Sequence, residues 1–169
     1  MSPPWSSPLE VDRLADGEAD VDFEVPLAEL TGLRSLRGGV AGSAGGSVRF
    51  LREQGMAVAE LSLRGAATLQ CQRCLRPMEL ALDIQARLAL VPSESEATRV
   101  PADLEPVLAA EGRTSIGELV TEELLLTLPI VPLHGAGEEC GAAEIAAATP
   151  RESGETHRPF AGLAELLKR

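Results

Sequence analysis

Aromatic side chains are nearly missing from this chain of 169 residues: Trp5, Phe23, Phe50 and Phe160 are all it has, and it contains no tyrosine. A core must therefore be built from Leu, Val, Ile and Ala, and the ring platform on which most single-strand RNA binders stack bases is lacking. Lysine is as scarce, with Lys168 alone, so nearly all positive charge is arginine. No apolar run approaches the roughly eighteen residues that cross a bilayer, and residues 1–8 lack a basic start followed by an apolar stretch. The expected setting is the cytoplasm, with no membrane partner. Only His134 and His157 titrate near neutrality, and neither a Gly-x-Ser-x-Gly elbow nor a glycine-rich phosphate loop precedes a helix. Catalysis is not expected, and the acid pairs Glu122 with Glu123 and Glu138 with Glu139 read as solvated charge.

What the chain has in quantity is acid, with a formal net charge of −11. That balance repels a polyphosphate at long range. The charge is unevenly placed: residues 1–32 and 92–169 are strongly acidic, whereas residues 33–91 carry Arg34, Arg37, Arg49, Arg52, Arg64, Arg73, Arg76 and Arg87 against Glu53, Glu60, Glu79 and Asp83. A local basic face built on Arg64, Arg73, Arg76 and Arg87 is one reading of this reversal, and strand arginines solvated beside nearby acids is the other.

Residues 1–18 are rich in Pro, Ser and acids without periodicity and read as a flexible leader. Val21, Phe23 and Val25 alternate with acids as in a half-buried strand, and Pro26 closes it. Leu27, Leu30 and Leu33 suggest a helix, and residues 38–46, almost wholly Gly, Ala and Ser, suggest a flexible connector. Ala59, Leu61 and Leu63 alternate with polar residues up to Gly65, where a bulge is expected. Met78, Leu80, Leu82, Ile84, Ala86, Leu88 and Leu90 give a longer alternating strand. Short links between such strands favour an antiparallel meander over residues 47–91. Its cover is predicted to be helical, because Ser115 and Glu118 fit a capping box ahead of the stripe Ile116, Leu119, Val120, Leu124 and Leu128. Residues 135–157 read as an acidic flexible loop, and residues 158–169 as a terminal helix with Phe160, Leu163, Leu166 and Leu167 on one side. The fold class is thus α+β: an antiparallel β-meander covered by helices, with the core domain over residues 19–134.

Cys71, Cys74 and Cys140 are too few and too unevenly spaced for a disulfide framework. A Cys-x-x-Cys turn between two strands lets both thiolates point at one tetrahedral ion, and His134 and Cys140 are the available further ligands for a structural zinc. A redox reading needs a helix after the second cysteine, and Pro77 and a strand follow instead. The alternative is a pair of reduced thiols at a tight hairpin.

Over Cys71-Gln72-Arg73-Cys74-Leu75-Arg76-Pro77 the chain resembles the YceD family, the large ribosomal RNA subunit accumulation proteins. The run Gly117-Glu118-Leu119-Val120-Thr121-Glu122-Glu123-Leu124-Leu125-Leu126-Thr127-Leu128-Pro129-Ile130-Val131-Pro132-Leu133-His134, with Cys140 soon after, is similar to that family's helix followed by Pro-x-x-Pro. Arg158-Pro159-Phe160-Ala161-Gly162-Leu163-Ala164 resembles its terminal element, although Arg158 stands where relatives often have Asn. The resemblance implies a noncatalytic role in synthesis, processing or stability of 23S rRNA, with 23S rRNA or its precursor and large-subunit ribosomal proteins or assembly factors as partners. Several relatives carry additional cysteines where this chain has His134 and Cys140, which implies a shared four-ligand site. An acidic adaptor or chaperone that binds a ribosomal protein or an RNA-processing enzyme, without touching RNA, is the alternative function.

Overall fold

A computed structural model describes residues 3–36, 38–135 and 140. The expected loop over 135–157, apart from Gly135 and Cys140, and the expected helix over 158–169 lie outside the described residues, as does Arg37.

Five strands form the main sheet in the order β2-β3-β4-β5-β6: β2 (Asp20–Pro26), β3 (Ala41–Glu53), β4 (Met56–Gln70), β5 (Pro77–Val91) and β6 (Glu105–Leu108). The first four pair antiparallel in sequence order, and β6 joins the far edge parallel to β5. A separate two-residue ladder pairs β1 (Leu9–Glu10) with β7 (Arg113–Thr114). Helices α1 (Val11–Asp16), α2 (Glu94–Ala97) and α3 (Ile116–Thr127) complete the α+β architecture.

Strand alternation decides which face is dry. Val25 of β2, Val48 and Phe50 of β3, Ala59, Leu61, Leu63 and Ala67 of β4, and Leu82, Ile84 and Leu88 of β5 are all buried in one cluster. Each such aliphatic side chain withdrawn from water contributes about 1.5 to 3 kcal/mol. α3 lies over this face with Ile116, Leu119, Val120 and Leu124 buried, and Glu123, expected as solvated charge, is buried with them while Glu122 is not. Its start is fixed by the expected capping box: the Glu118 amide donates to Ser115 Oγ at 3.2 Å, and the Ser115 amide donates to Glu118 Oε2 at 2.8 Å. At one end the opposite face of the sheet is dry too, where Val58, Ala89 and Val91 meet Leu104.

From Pro3 onward the segment expected to be a flexible leader packs against the core. Val11 and Ala15 of α1 are buried against the sheet, and Trp5 packs on Gly117 of α3, where a Cβ would stand 2.9 Å from the indole. A six-residue helix is too short to print a 3.6-residue period, which is why composition alone suggested a tail. Leu27, Leu30 and Leu33 are buried as expected but sit in two 3₁₀ turns, Leu27–Glu29 and Thr31–Ser35, joined by extended Leu30. A strict spacing of three is the 3₁₀ repeat, not the α repeat.

Residues 41–46 belong to β3 and are not a connector. Their small side chains permit a close strand approach: a Cβ at Gly46 would lie 1.9 Å from the Ser62 carbonyl oxygen, and one at Gly65 would lie 2.3 Å from that of Ser43. The ladder therefore runs through Gly65 without the expected bulge, with Ala44 and Leu82 as its neighbours. β6 escaped notice because a four-residue strand containing Pro106 has no alternation to read, and its edge position tolerates the proline.

Gly65→Val is expected to destabilise the protein by about 2 kcal/mol or more through backbone crowding, and Ser115→Ala by about 1 kcal/mol through loss of the cap. Thermal unfolding of the two variants should rank them in that order.

Candidate metal centre

The β4–β5 hairpin ends in the turn 71–76, and its backbone bonds hold both cysteines at one corner. The Cys71 amide donates to the Arg76 carbonyl at 3.0 Å, and the Leu75 amide donates to the Cys71 carbonyl at 2.9 Å. Leu75 takes a left-handed φ of 60°, unusual for a branched side chain, and Gln70 Nε2 secures its carbonyl at 3.2 Å. The second half of the site comes from the chain beyond α3. Pro129 forbids continuation of the helix, and the extended segment that follows is tied to the turn by the Gln72 amide, which donates to the Pro132 carbonyl at 2.8 Å.

This tie brings Cys71, Cys74, His134 and Cys140 together, with all four ligand atoms within 4.8 Å of one another. Cys71 Sγ lies 3.7 Å from Cys140 Sγ, and Cys74 Sγ lies 3.4 Å from His134 Nδ1. A zinc tetrahedron with ordinary bond lengths has sulfur–sulfur edges of about 3.8 Å and sulfur–nitrogen edges of about 3.5 Å, so both separations fit the ion. His134 Nε2 donates to the Pro77 carbonyl at 3.1 Å, which leaves Nδ1 to face the sulfurs. Cys71 and Cys74 are buried, while His134 and Cys140 are partly exposed.

The thiols are electrostatically unequal. Burial pushes Cys71 upward, but amide donors at Cys74, His134 and Arg73 outweigh it and bring the thiol down to about 5. Cys74 is lowered chiefly by the Arg76 amide, assisted by the Arg76 side chain, against the penalty of burial. Cys140 is raised by burial despite Arg73, and His134 is raised chiefly by its bond to Cys71. Arg73 Nε donates to Cys140 Sγ at 2.9 Å. Three thiolates and a neutral imidazole around a divalent cation would carry one net negative charge, and Arg73 beside Cys140 and Arg76 beside Cys74 would offset it.

The remaining expected RNA-contacting residues are placed differently. Arg64 pairs with Asp83 at 3.3 Å, and Arg87 pairs with Glu53, with Glu60 at 3.4 Å and with Asp103 at 3.2 Å. Arg52 is likewise engaged, by Asp12 at 2.8 Å and Asp16 at 2.6 Å. On the outer face of the sheet, Arg49, Arg64 and Arg87 share the surface with Asp20, Asp22, Glu24, Glu53, Glu60, Glu79 and Asp83, as strand alternation places them. The arginine-rich span therefore does not build a basic sheet face, because register sets acids from neighbouring strands beside each guanidinium. Arg73 and Arg76 lie apart from this surface, at the turn that carries Cys71 and Cys74. The register that decides these pairings is set between strands, and the alternation within one strand does not report it.

Among the described residues no helix is long and apolar enough to cross a membrane. No solved structure matches the chain. The chain is similar to the large ribosomal RNA subunit accumulation protein YceD of Haemophilus influenzae, 28% identical over 96% of this chain and 97% of that protein. The family model described as large ribosomal RNA subunit accumulation protein YceD matches residues 59–167, a span that includes the turn, α3 and all four clustered ligands. On that match, and on the position of the clustered residues within it, the chain belongs to the YceD family.

Proposed function

We propose that this protein supports accumulation of 23S rRNA as a noncatalytic, zinc-stabilised adaptor whose acidic sheet face engages a basic large-subunit ribosomal protein or assembly factor. The setting is the cytoplasm, where thiols stay reduced and available to metal. The observation that carries the reading is the closed four-residue cluster. Four protein ligands leave zinc no open position for substrate or water, so the ion serves as a clamp between the hairpin turn and the segment beyond α3. When bound, zinc supplies cross-linking and no reaction step. Gln72 and Pro77 align the two halves, and Arg73 and Arg76 temper the thiolate charge.

The partner assignment rests on electrostatics. Arg64 and Arg87 are already committed to carboxylates, while Asp20, Asp22, Glu24 and Glu79 remain exposed on the same face. Such a surface repels phosphate and attracts a basic protein. A second reading, direct contact with 23S rRNA or its precursor, is favoured only at the exposed turn carrying Arg73 and Arg76. Synthesis, processing and stability are each compatible with either partner.

Untagged protein is expected to carry one zinc per chain, and Cys74→Ser is expected to lose it, as elemental analysis would show. Chelation should raise amide exchange at the turn 71–76 and at residues 129–135, yet leave the β3–β5 core protected, because that core closes without the metal. Absence of zinc, with exchange indifferent to chelator, would sink the clamp. Cys71 is depressed below the ordinary thiol value, so its thiolate stabilises the fold fully above that value and ceases to do so as pH falls through about 5. Zinc retention at pH 7 and release as pH drops towards 5 is the corresponding outcome.

Association with large-subunit particles or their proteins is expected to survive ribonuclease digestion, and charge reversal at Asp22 and Glu24 is expected to weaken it. Loss on digestion, together with a steep salt dependence of rRNA affinity that flattens in Arg73→Ala/Arg76→Ala, would replace the adaptor by the RNA-contact reading.

A further inference from the structure

The two edges of the main sheet are unlike. β6 is four residues long and includes Pro106, which lacks an amide proton. β2 is seven residues long and meets no proline before its last residue, Pro26. Its ladder shows which backbone groups point away from the sheet. The Phe50 amide donates to the Ala19 carbonyl at 2.8 Å, so in the antiparallel register Val21, Phe23 and Val25 are the residues that exchange bonds with β3. Asp20, Asp22 and Glu24 therefore turn their amides and carbonyls outward, at intervals of about 7 Å. Among the described residues none bonds to these groups. The 3₁₀ turn Pro4–Ser6 comes near β2, but the amides of Ser6 and Ser7 turn back to the Pro3 and Pro4 carbonyls. We infer that this edge takes an extended, basic segment of a partner protein as a further strand.

The sign of that segment follows from the register. Asp83 and Glu60 meet arginines across the ladder, whereas Asp22 lies opposite Ser47 and Glu24 opposite Gly45. β3 thus brings neither of them a cation, and among the described residues none forms an ion pair with Asp20, Asp22 or Glu24. All three are exposed. A second copy does not fit here, because β2 against β2 sets acid beside acid, and like charges across a strand pair are destabilising. A strand with Lys or Arg at alternate positions places a cation beside each carboxylate. Its other side chains then fall on the core side of the sheet, beside half-buried Val21 and Phe23. Backbone bonding, charge and apolar contact share one two-residue repeat, so a single extended segment satisfies all three.

This inference rests on the adaptor reading and gives its partner a shape. A rigid basic surface meets the acids of the sheet alone, whereas an extended basic arm meets the acids and the open edge together. Charge on an edge strand also guards against unwanted pairing. On β2 it does so selectively, turning away a strand of like sign while admitting a cationic one.

The test uses the full-length protein and a synthetic peptide of about ten residues that alternates Arg with Val. Exchange of the Asp22 and Glu24 amides, followed by NMR, is expected to be fast in the free protein and about tenfold or more slower with the peptide bound. N-methylation of the peptide at its arginines or at its valines keeps the charge and removes every second donor. One of the two sets is expected to weaken binding by about tenfold or more and the other to spare it, since a strand bonds its neighbour through alternate residues. Asp22→Pro, which removes an outward donor and no ladder bond, is expected to weaken the peptide more than Asp22→Asn, which removes the charge alone. If both methylated sets bind as the parent does, charge alone attracts the peptide, and the strand inference is overturned with the adaptor reading intact. Slow exchange of the two amides in the free protein would overturn it as well, because the edge would already be covered. Large-subunit proteins retained after ribonuclease treatment, with those amides left unprotected by the peptide, would likewise remove the inference and spare the adaptor. Peptide addition at β2 with no such protein retained would remove the adaptor reading and support the edge as a site for basic segments.

Discussion

The uninterrupted antiparallel ladder between β4 and β5, from Ala57 opposite Leu90 to Gln70 opposite Pro77, is the constraint from which the rest of the molecule follows. It places the cysteine-bearing turn at one end of the sheet, and it fixes which side chains face the core and which face water. A slip of one residue would turn Leu61, Leu63, Leu82 and Ile84 outward together, so the register is held by the whole buried face and not by the turn alone. The helix α3 then has one dry surface to cover. Its end at Thr127 delivers the following segment to the turn.

The same ladder sets the electrostatics. Arg64 stands opposite Asp83, and Arg87 stands opposite Glu60, because register pairs them, even though they are far apart along the chain. Residues that look like a basic cluster in one dimension become neutral pairs in three. The exposed pairs contribute little stability, because solvent screens them. Their larger effect is on recognition, since they remove cationic sites from a surface whose remaining charge is negative. At the turn the arginines act differently: Arg73 donates to the Cys140 sulfur, and Arg76 favours the ionised form of Cys74.

Much of this was legible in advance wherever a pattern repeats. The alternation in β4 and β5, and the capping box with its apolar stripe in α3, are local signatures, and their structural counterparts match them. The clustering of Cys71, Cys74, His134 and Cys140 was legible too, because the two later residues follow directly on the helix expected to cover the sheet. What could not be read depends on pairing partners. Residues 41–46 have no side chains to advertise a strand, yet their smallness is what lets β4 approach. Helix α1 and strand β6 are too short to show a period, and the carboxylates that engage Arg52 come from α1.

His134 follows Cys74 by sixty positions, and Cys140 follows Cys71 by sixty-nine. During synthesis the paired cysteines are therefore made long before either of the two residues that complete the cluster. The hairpin can assemble while the two thiols stand alone at its turn, and the cluster closes only once the chain beyond α3 has emerged. A product truncated before Cys140 therefore lacks one of the four residues through which the hairpin turn and the later segment meet.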